Sequence, residues 1–262
     1  MRALSTAATG MAAQQLNVEV ISNNIANMNT VGFKRQRAEF SDLLYQDMAK
    51  AGAQTSDTGT IAPTGIQIGS GVKTGSVYRI TSQGSLTQTN NQLDVAIQGR
   101  GYLQVQLPSG ETAYTRAGNL SVNNSGQLVT DQGYQVLPQI TVPTDATAIT
   151  ISQSGQVQVT TPTSTTPAQV GQLQLATFIN EAGLEAQGDN LFLVSGASGP
   201  AVVGNPGAPG FGTLMQGYTE ASNVDAVTEI TSLISAQRAY EMNSKVITTA
   251  DQMLATASQV KS

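Results

Sequence analysis

Apolar residues recur every seven positions at both ends of the chain, and alternate with polar ones through much of its middle. Near the N-terminus the series is Leu4, Met11, Val18 and Ile25, with Ala8, Ile21 and Met28 in adjoining positions. This spacing predicts a helix from Ala3 to about Met28 carrying a narrow a/d-type seam rather than a broad buried face. A second series, Ala226, Leu233, Tyr240, Ile247 and Leu254, predicts a helix from Asn223 to about Val260, with Ala236, Ala250 and Ala257 beside it. Neither Gly nor Pro interrupts that stretch, Asn223 is placed to act as N-cap, and Asp225 falls in the first turn, where it complements the helix dipole. At 1.5 Å per residue the helix would be roughly 55 Å long, too long for a surface helix of a compact domain of this size. Both seams are narrow and have Gln14, Asn243 and Asp251 near them. The two helices are therefore expected to pair as a coiled coil that needs further partners.

Between them the pattern changes to short apolar runs punctuated by turns. Leu93 to Ile97 is one run. Gln104–Leu107 and Ala113–Thr115 flank the turn Pro108-Ser109-Gly110. Leu120 and Val122 are separated from Leu128 and Val129 by Asn123-Asn124-Ser125-Gly126, and Ile149 and Ile151 from Val157 and Val159 by Gln153-Ser154-Gly155. Leu173 and Leu175 alternate with polar residues. Strands at this spacing with Gly at the turns predict a sandwich or small barrel. The stretch from Gln46 to Gly71 is Gly-rich and reads as an extended connector. The stretch from Ser195 to Gly212 carries Pro200, Pro206 and Pro209 and reads as a surface loop. The fold class expected is α+β: a terminal helical domain from residues 1–34 and 220–262, an extended β connector at 35–80, and a β-rich domain at 81–219.

Composition narrows the function. Of 262 residues only 39% are hydrophobic and 11% charged, with a net charge of −5. A nucleic-acid binder needs a basic face, and the one basic cluster, Lys34, Arg35 and Arg37, reads as a solvated helix end. The chain has no Cys and no His, which removes thiol and imidazole chemistry and the usual zinc ligands. Asp94, Glu111, Asp131, Asp145, Glu181, Glu185 and Asp189 form no motif and read as solvated loop carboxylates. Gly69-Ser70-Gly71 and Gly99-Arg100-Gly101 fail both phosphate-loop templates. No catalytic, cofactor-binding or metal-binding residue is expected. No stretch approaches the ~20 apolar residues of a membrane span, and the N-terminal pattern is not that of a signal peptide. These features fit a non-enzymatic protein built for association: a flagellar shaft subunit, a phage-tail-like tube protein or a secreted adhesin.

Longer motifs separate those possibilities. Ser22-Asn23-Asn24-Ile25-Ala26-Asn27-Met28-Asn29-Thr30-Val31-Gly32-Phe33-Lys34 resembles the N-terminal signature of bacterial flagellar rod and hook proteins, the axial protein family. Its Asn23, Asn24, Asn27, Asn29, Gly32 and Phe33 are the family-motif residues. Gly212 to Val224 and Ala236-Gln237-Arg238-Ala239-Tyr240-Glu241-Met242-Asn243-Ser244-Lys245 resemble the C-terminal signature, and Leu93-Asp94-Val95-Ala96-Ile97-Gln98-Gly99 and Tyr114-Thr115-Arg116-Ala117-Gly118 match in the middle. Within the family the chain is most similar to the distal-rod members, through Met1-Arg2-Ala3-Leu4, Phe40-Ser41-Asp42-Leu43-Leu44-Tyr45-Gln46 and Gln67-Ile68-Gly69-Ser70-Gly71-Val72; proximal-rod and hook proteins share the terminal motifs. The resemblance implies a structural subunit of a rigid helical tube that transmits torque from motor to hook and encloses an export channel. It implies export without a cleaved signal peptide and a place in the basal body, from periplasm to outer membrane. The partners it implies are further copies of the chain, proximal rod proteins, the hook protein, and ring proteins of the peptidoglycan layer and outer membrane, with no nucleic acid and no direct membrane insertion. The assembly seam would be Leu4, Met11, Val18, Ile25, Leu233, Tyr240, Ile247 and Leu254.

Overall fold

The computed structural model describes residues 2–50, 52, 64–162 and 164–261. The chain divides into two compact units. The first takes in the residues up to Ile25, Gln36–Tyr78, and the residues from Ala226 onward; the second takes in Ala26–Arg35 and Arg79–Asp225.

The first unit holds both long helices, α1 (Arg2–Ala26) and α2 (Ala226–Lys261). Each is free of Pro, and Gly10 is the one helix-interior glycine. They run antiparallel: Asn24 of α1 meets Glu229 of α2, and fourteen residues further along each helix Gly10 meets Asn243. At that second point a Cβ on Gly10 would lie 2.9 Å from the Asn243 amide nitrogen, so glycine is what lets the Asn243 side chain fit there. The residues α1 buries are Ala7, Ala13, Val20, Ile21 and Asn24; α2 buries Glu229, Ala236 and Ala250. Two antiparallel strand pairs complete this unit: Gln36–Asp42 lies beside Val72–Arg79, and Tyr45–Ala49 beside Ile66–Gly69. The stretch read as an extended connector is thus paired β structure at both of its ends, while residues 51 and 53–63 lie outside the described residues.

The second unit is built on an open, antiparallel nine-stranded sheet. Its centre is the hairpin of Tyr102–Gln106 and Thr112–Thr115, with Leu103 opposite Thr115 and Val105 opposite Ala113. The Pro108-Ser109-Gly110 turn joins them as expected, and the Asn123–Gly126 turn likewise joins Leu120–Val122 to Leu128–Thr130. A three-stranded sheet, Ala148–Ile151, Gln156–Thr161 and Ser164–Gln172, adds a second layer. Ile97, Leu103, Val105, Leu120, Val136, Ile140, Leu173, Leu175 and Leu214 form one aliphatic core. Behind Tyr102 lies an aromatic cluster in which Tyr102 meets Phe178 and Phe192 edge-on at 5.8 and 5.9 Å, and Tyr114 meets Phe178 at 4.8 Å. Such T-shaped pairs set the electropositive ring edge against the electronegative face. The barrel-like expectation is corrected here, since the sheet path ends at Glu185–Gly188 on one side and Leu120–Val122 on the other and does not close. The Ser195–Gly212 stretch, expected as a loop, contributes the edge strand Val202–Gly204.

Candidate functional site

Two of the family-motif residues, Asn24 and Gly32, lie at two buried polar centres, one in each unit. In the helical unit the centre is Asn24, 1% exposed on the last turns of α1. Its side-chain amide donates to the Gln36 carbonyl at 2.8 Å and its Oδ1 accepts from the Gln36 N–H at 2.8 Å. A carboxamide can satisfy a peptide group in this two-bond fashion because it offers one donor and one acceptor side by side. The same amide donates to Glu229 Oε2 at 3.1 Å. Asn24 therefore fixes α1, the strand Gln36–Asp42 and α2 at one point.

In the β unit the centre is Glu220. Its Oε1 accepts from Lys34 Nζ at 2.5 Å and from the Gly84 N–H at 2.9 Å, and its Oε2 accepts from Arg116 Nε at 2.8 Å. Lys34, Arg116 and Glu220 are each 3% exposed or less. Lys34 also donates to the Ser82 carbonyl at 2.9 Å, and Arg116 to the carbonyls of Gly101, Gly99 and Ile97 at 3.1, 3.0 and 3.4 Å. Burial would raise the Glu220 carboxyl, but Arg116, Lys34 and the Gly84 N–H outweigh it and hold the group below the ordinary carboxylate value. Burial, helped by repulsion from Arg116, draws the Lys34 ammonium below the usual lysine value against the pull of Glu220. The expected solvated helix end is corrected for Lys34, whose charge is spent in this cluster. Asp94, expected on a solvated loop, is 8% exposed and accepts from the Asn91 amide at 3.0 Å.

Two further features hold the same region. Gly32 has φ of +72°, and a Cβ there would sit 2.9 Å from the backbone of Arg116 and Ala117; its N–H donates to the Glu220 carbonyl at 2.8 Å. Asn223, expected as the α2 N-cap, instead accepts from the Arg35 N–H at 2.7 Å and donates to the Ile80 and Ser82 carbonyls. The remaining motif residues are less central. Asn27 is half-buried and accepts from the Thr30 hydroxyl at 3.2 Å, Phe33 is half-buried, and Asn23 and Asn29 are exposed.

The heptad residues occupy a different place. Leu4, Met11, Val18, Ile25, Leu233 and Ile247 are half-buried, whereas Tyr240 and Leu254 are 43% and 50% exposed. Val18 and Tyr240 face one open groove of about 510 Å³, with Gln15, Glu19, Gln237 and Glu241 around it. Other large side chains of α2 also remain in solvent, among them Ile230, Ile234, Met242, Val246 and Met253. Lys34 and Arg116 lie within sequence motifs and Glu220 within a signature region, but no local signal joins residues 186 positions apart into one cluster.

Two contacting helices, an open β unit and flagellar-type sequence motifs, two of whose residues lie at buried polar centres, fit a structural subunit of the flagellar axial class. Residues 4–34 match the family described as flagella basal body rod protein, 96–159 the flagellar hook protein FlgE/F/G D1 domain, and 215–260 the flagellar basal body rod FlgEFG protein C-terminal family. The chain is 69% identical over 262 residues to the flagellar basal-body rod protein FlgG of Caulobacter vibrioides, covering 100% of both chains. It is 55% identical over 259 residues to FlgG of Agrobacterium fabrum, covering 99% of each, and 31% identical over 274 residues to the flagellar hook-basal body complex protein FlhP of Bacillus subtilis, covering 100% of each. The chain belongs to the FlgG family of flagellar basal-body rod proteins, a structural family of the flagellar distal rod.

Proposed function

We propose that the chain is a distal-rod subunit that joins copies of itself head-to-tail into a rigid helical tube. The observation that carries this reading is family membership along the whole chain. The unpartnered apolar side chains of α2 support it, because a lone subunit leaves them in water and a neighbour would cover them. Heterologous contacts with a rotation that does not close generate an open helical filament. In this reading the terminal helices of neighbouring subunits pair in coiled-coil fashion around an export channel. The seam is Leu4, Met11, Val18, Ile25, Leu233, Tyr240, Ile247 and Leu254, and the groove at Val18 and Tyr240 receives a neighbour. Torque passes from motor to hook through many side-by-side contacts, and no catalytic step is involved. The rod meets proximal rod proteins at one end and the hook at the other, and turns within ring proteins of the peptidoglycan layer and outer membrane. Subunits reach the periplasm unfolded, through the flagellum's own export apparatus.

Deleting the coding sequence should abolish swimming and leave basal bodies that lack a distal rod and hook in electron micrographs, with both restored on re-expression. A deletion strain with complete hooks would overturn the reading.

A further inference from the structure

The Lys34–Glu220–Arg116 cluster does more than fill space in the β unit. Lys34 stands at the end of the unit's first segment, Ala26–Arg35, Arg116 directly follows the hairpin strand Thr112–Thr115, and Glu220 stands shortly before the chain leaves the unit after Asp225. The nine-stranded sheet is complete by Gly204, so Glu220 adds nothing to that sheet's hydrogen-bond ladder. Its strand Tyr218–Glu220 pairs only with Leu86–Gln88. What Glu220 supplies is the one negative charge between two buried cations. Its backbone carbonyl also holds the Gly32 N–H, and its carboxylate holds the Gly84 N–H. Remove that charge and Lys34 and Arg116 face each other buried without their shared counter-ion, an arrangement that forces structure apart.

We propose that Glu220 is an acid-sensitive latch: protonation or loss of its carboxylate frees the segments around Gly32 and Gly84 while the nine-stranded sheet stays folded. The other charged groups nearby do not substitute for it. Glu181 attracts Lys34 more weakly than Glu220 does and is engaged by Arg100 at 2.9 Å and by the Tyr102 hydroxyl at 3.4 Å. Tyr102 presents its ring to Arg116 at 5.8 Å, and burial followed by the charge of Glu181 pushes its phenol far above the ordinary value. Arg79 lies over Phe192 and donates to the Leu184 carbonyl, adding only positive charge. Because the folded Glu220 carboxyl lies below its ordinary value, its contribution is complete above the usual carboxylate range. It is lost as pH falls through the folded value. The latch does not depend on the rod reading.

Amide hydrogen exchange on the full-length purified protein tests it. In Glu220→Gln at neutral pH, protection at Gly32 and Gly84 should fall about a hundredfold or more, while residues 103–106 and 112–115 keep theirs. Lys34→Met, which leaves a neutral Arg116–Glu220 pair, should have a much smaller effect at Gly84. If Glu220→Gln does not fold, the wild-type chain gives the same reading: Gly32 and Gly84 should lose protection before the sheet does as pH is lowered. Unchanged protection at both glycines, equal loss across the sheet, or a Lys34→Met effect as large as that of Glu220→Gln would each overturn the latch.

Discussion

A subunit carrying Tyr240→Asp or Leu254→Asp is expected to fold normally and fail to enter a rod. Both side chains are substantially exposed in the single subunit, at 43% and 50%, so an aspartate there costs the isolated protein little. Against a neighbour the same carboxylate would be buried without a partner, at about 3–5 kcal/mol per contact. That raises the concentration needed for assembly by roughly two to four orders of magnitude, and the penalty recurs in every subunit. The check is circular dichroism of the monomer together with swimming assays and electron microscopy of basal bodies. Normal swimming by either variant would show that this face of α2 is not covered in the rod.

Arg116→Met is expected to have the largest effect on the β unit itself. Its guanidinium serves Glu220 and the carbonyls of Ile97 and Gly101 in a buried setting, and the Gly99 carbonyl in a part-buried one. A methionine fills much of the volume and supplies none of the five donors. The Gly99 and Gly101 carbonyls then lose this donor, the Ile97 carbonyl keeps the Gln83 amide at 2.9 Å, and Glu220 keeps only Lys34 and the Gly84 N–H. The expected loss is about 3–5 kcal/mol, a large part of the stability of an ordinary domain. Denaturant unfolding followed by tyrosine fluorescence measures it. A loss below about 1 kcal/mol would mean that water or a neighbouring side chain replaces the guanidinium with little strain.

Much of the secondary structure was legible because its signals are local. The heptad series and the absence of Pro mark α1 and α2 to within a few residues, and Gly-containing turns mark the hairpins at 108–110 and 123–126. What could not be read are pairings between distant segments. Thr213–Gln216 pairs with Val95–Gln98, and Tyr218–Glu220 with Leu86–Gln88, and neither alternation names its partner. Charge fails in the same way. Lys34 beside Arg35 and Arg37 looks solvated until its counter-ion arrives from 186 residues away. Asn223 has the position of an N-cap, yet its carboxamide is taken by the backbone of Arg35, Ile80 and Ser82. A cap motif shows only what a side chain can do locally, and tertiary partners compete for it. The helical seam misleads more gently. Heptad spacing finds the right helices, but on α2 the apolar residues buried within one subunit are the small ones beside the seam, Ala236 and Ala250.

The most direct measurement of the central claim is cryo-electron microscopy of rods isolated with the protein in place. The account expects an open helical filament in which α1 and α2 of neighbouring subunits pack side by side around a continuous channel, with Tyr240 and Leu254 inside those contacts. A closed oligomer, or a filament in which the helices of adjacent subunits do not touch, would contradict it.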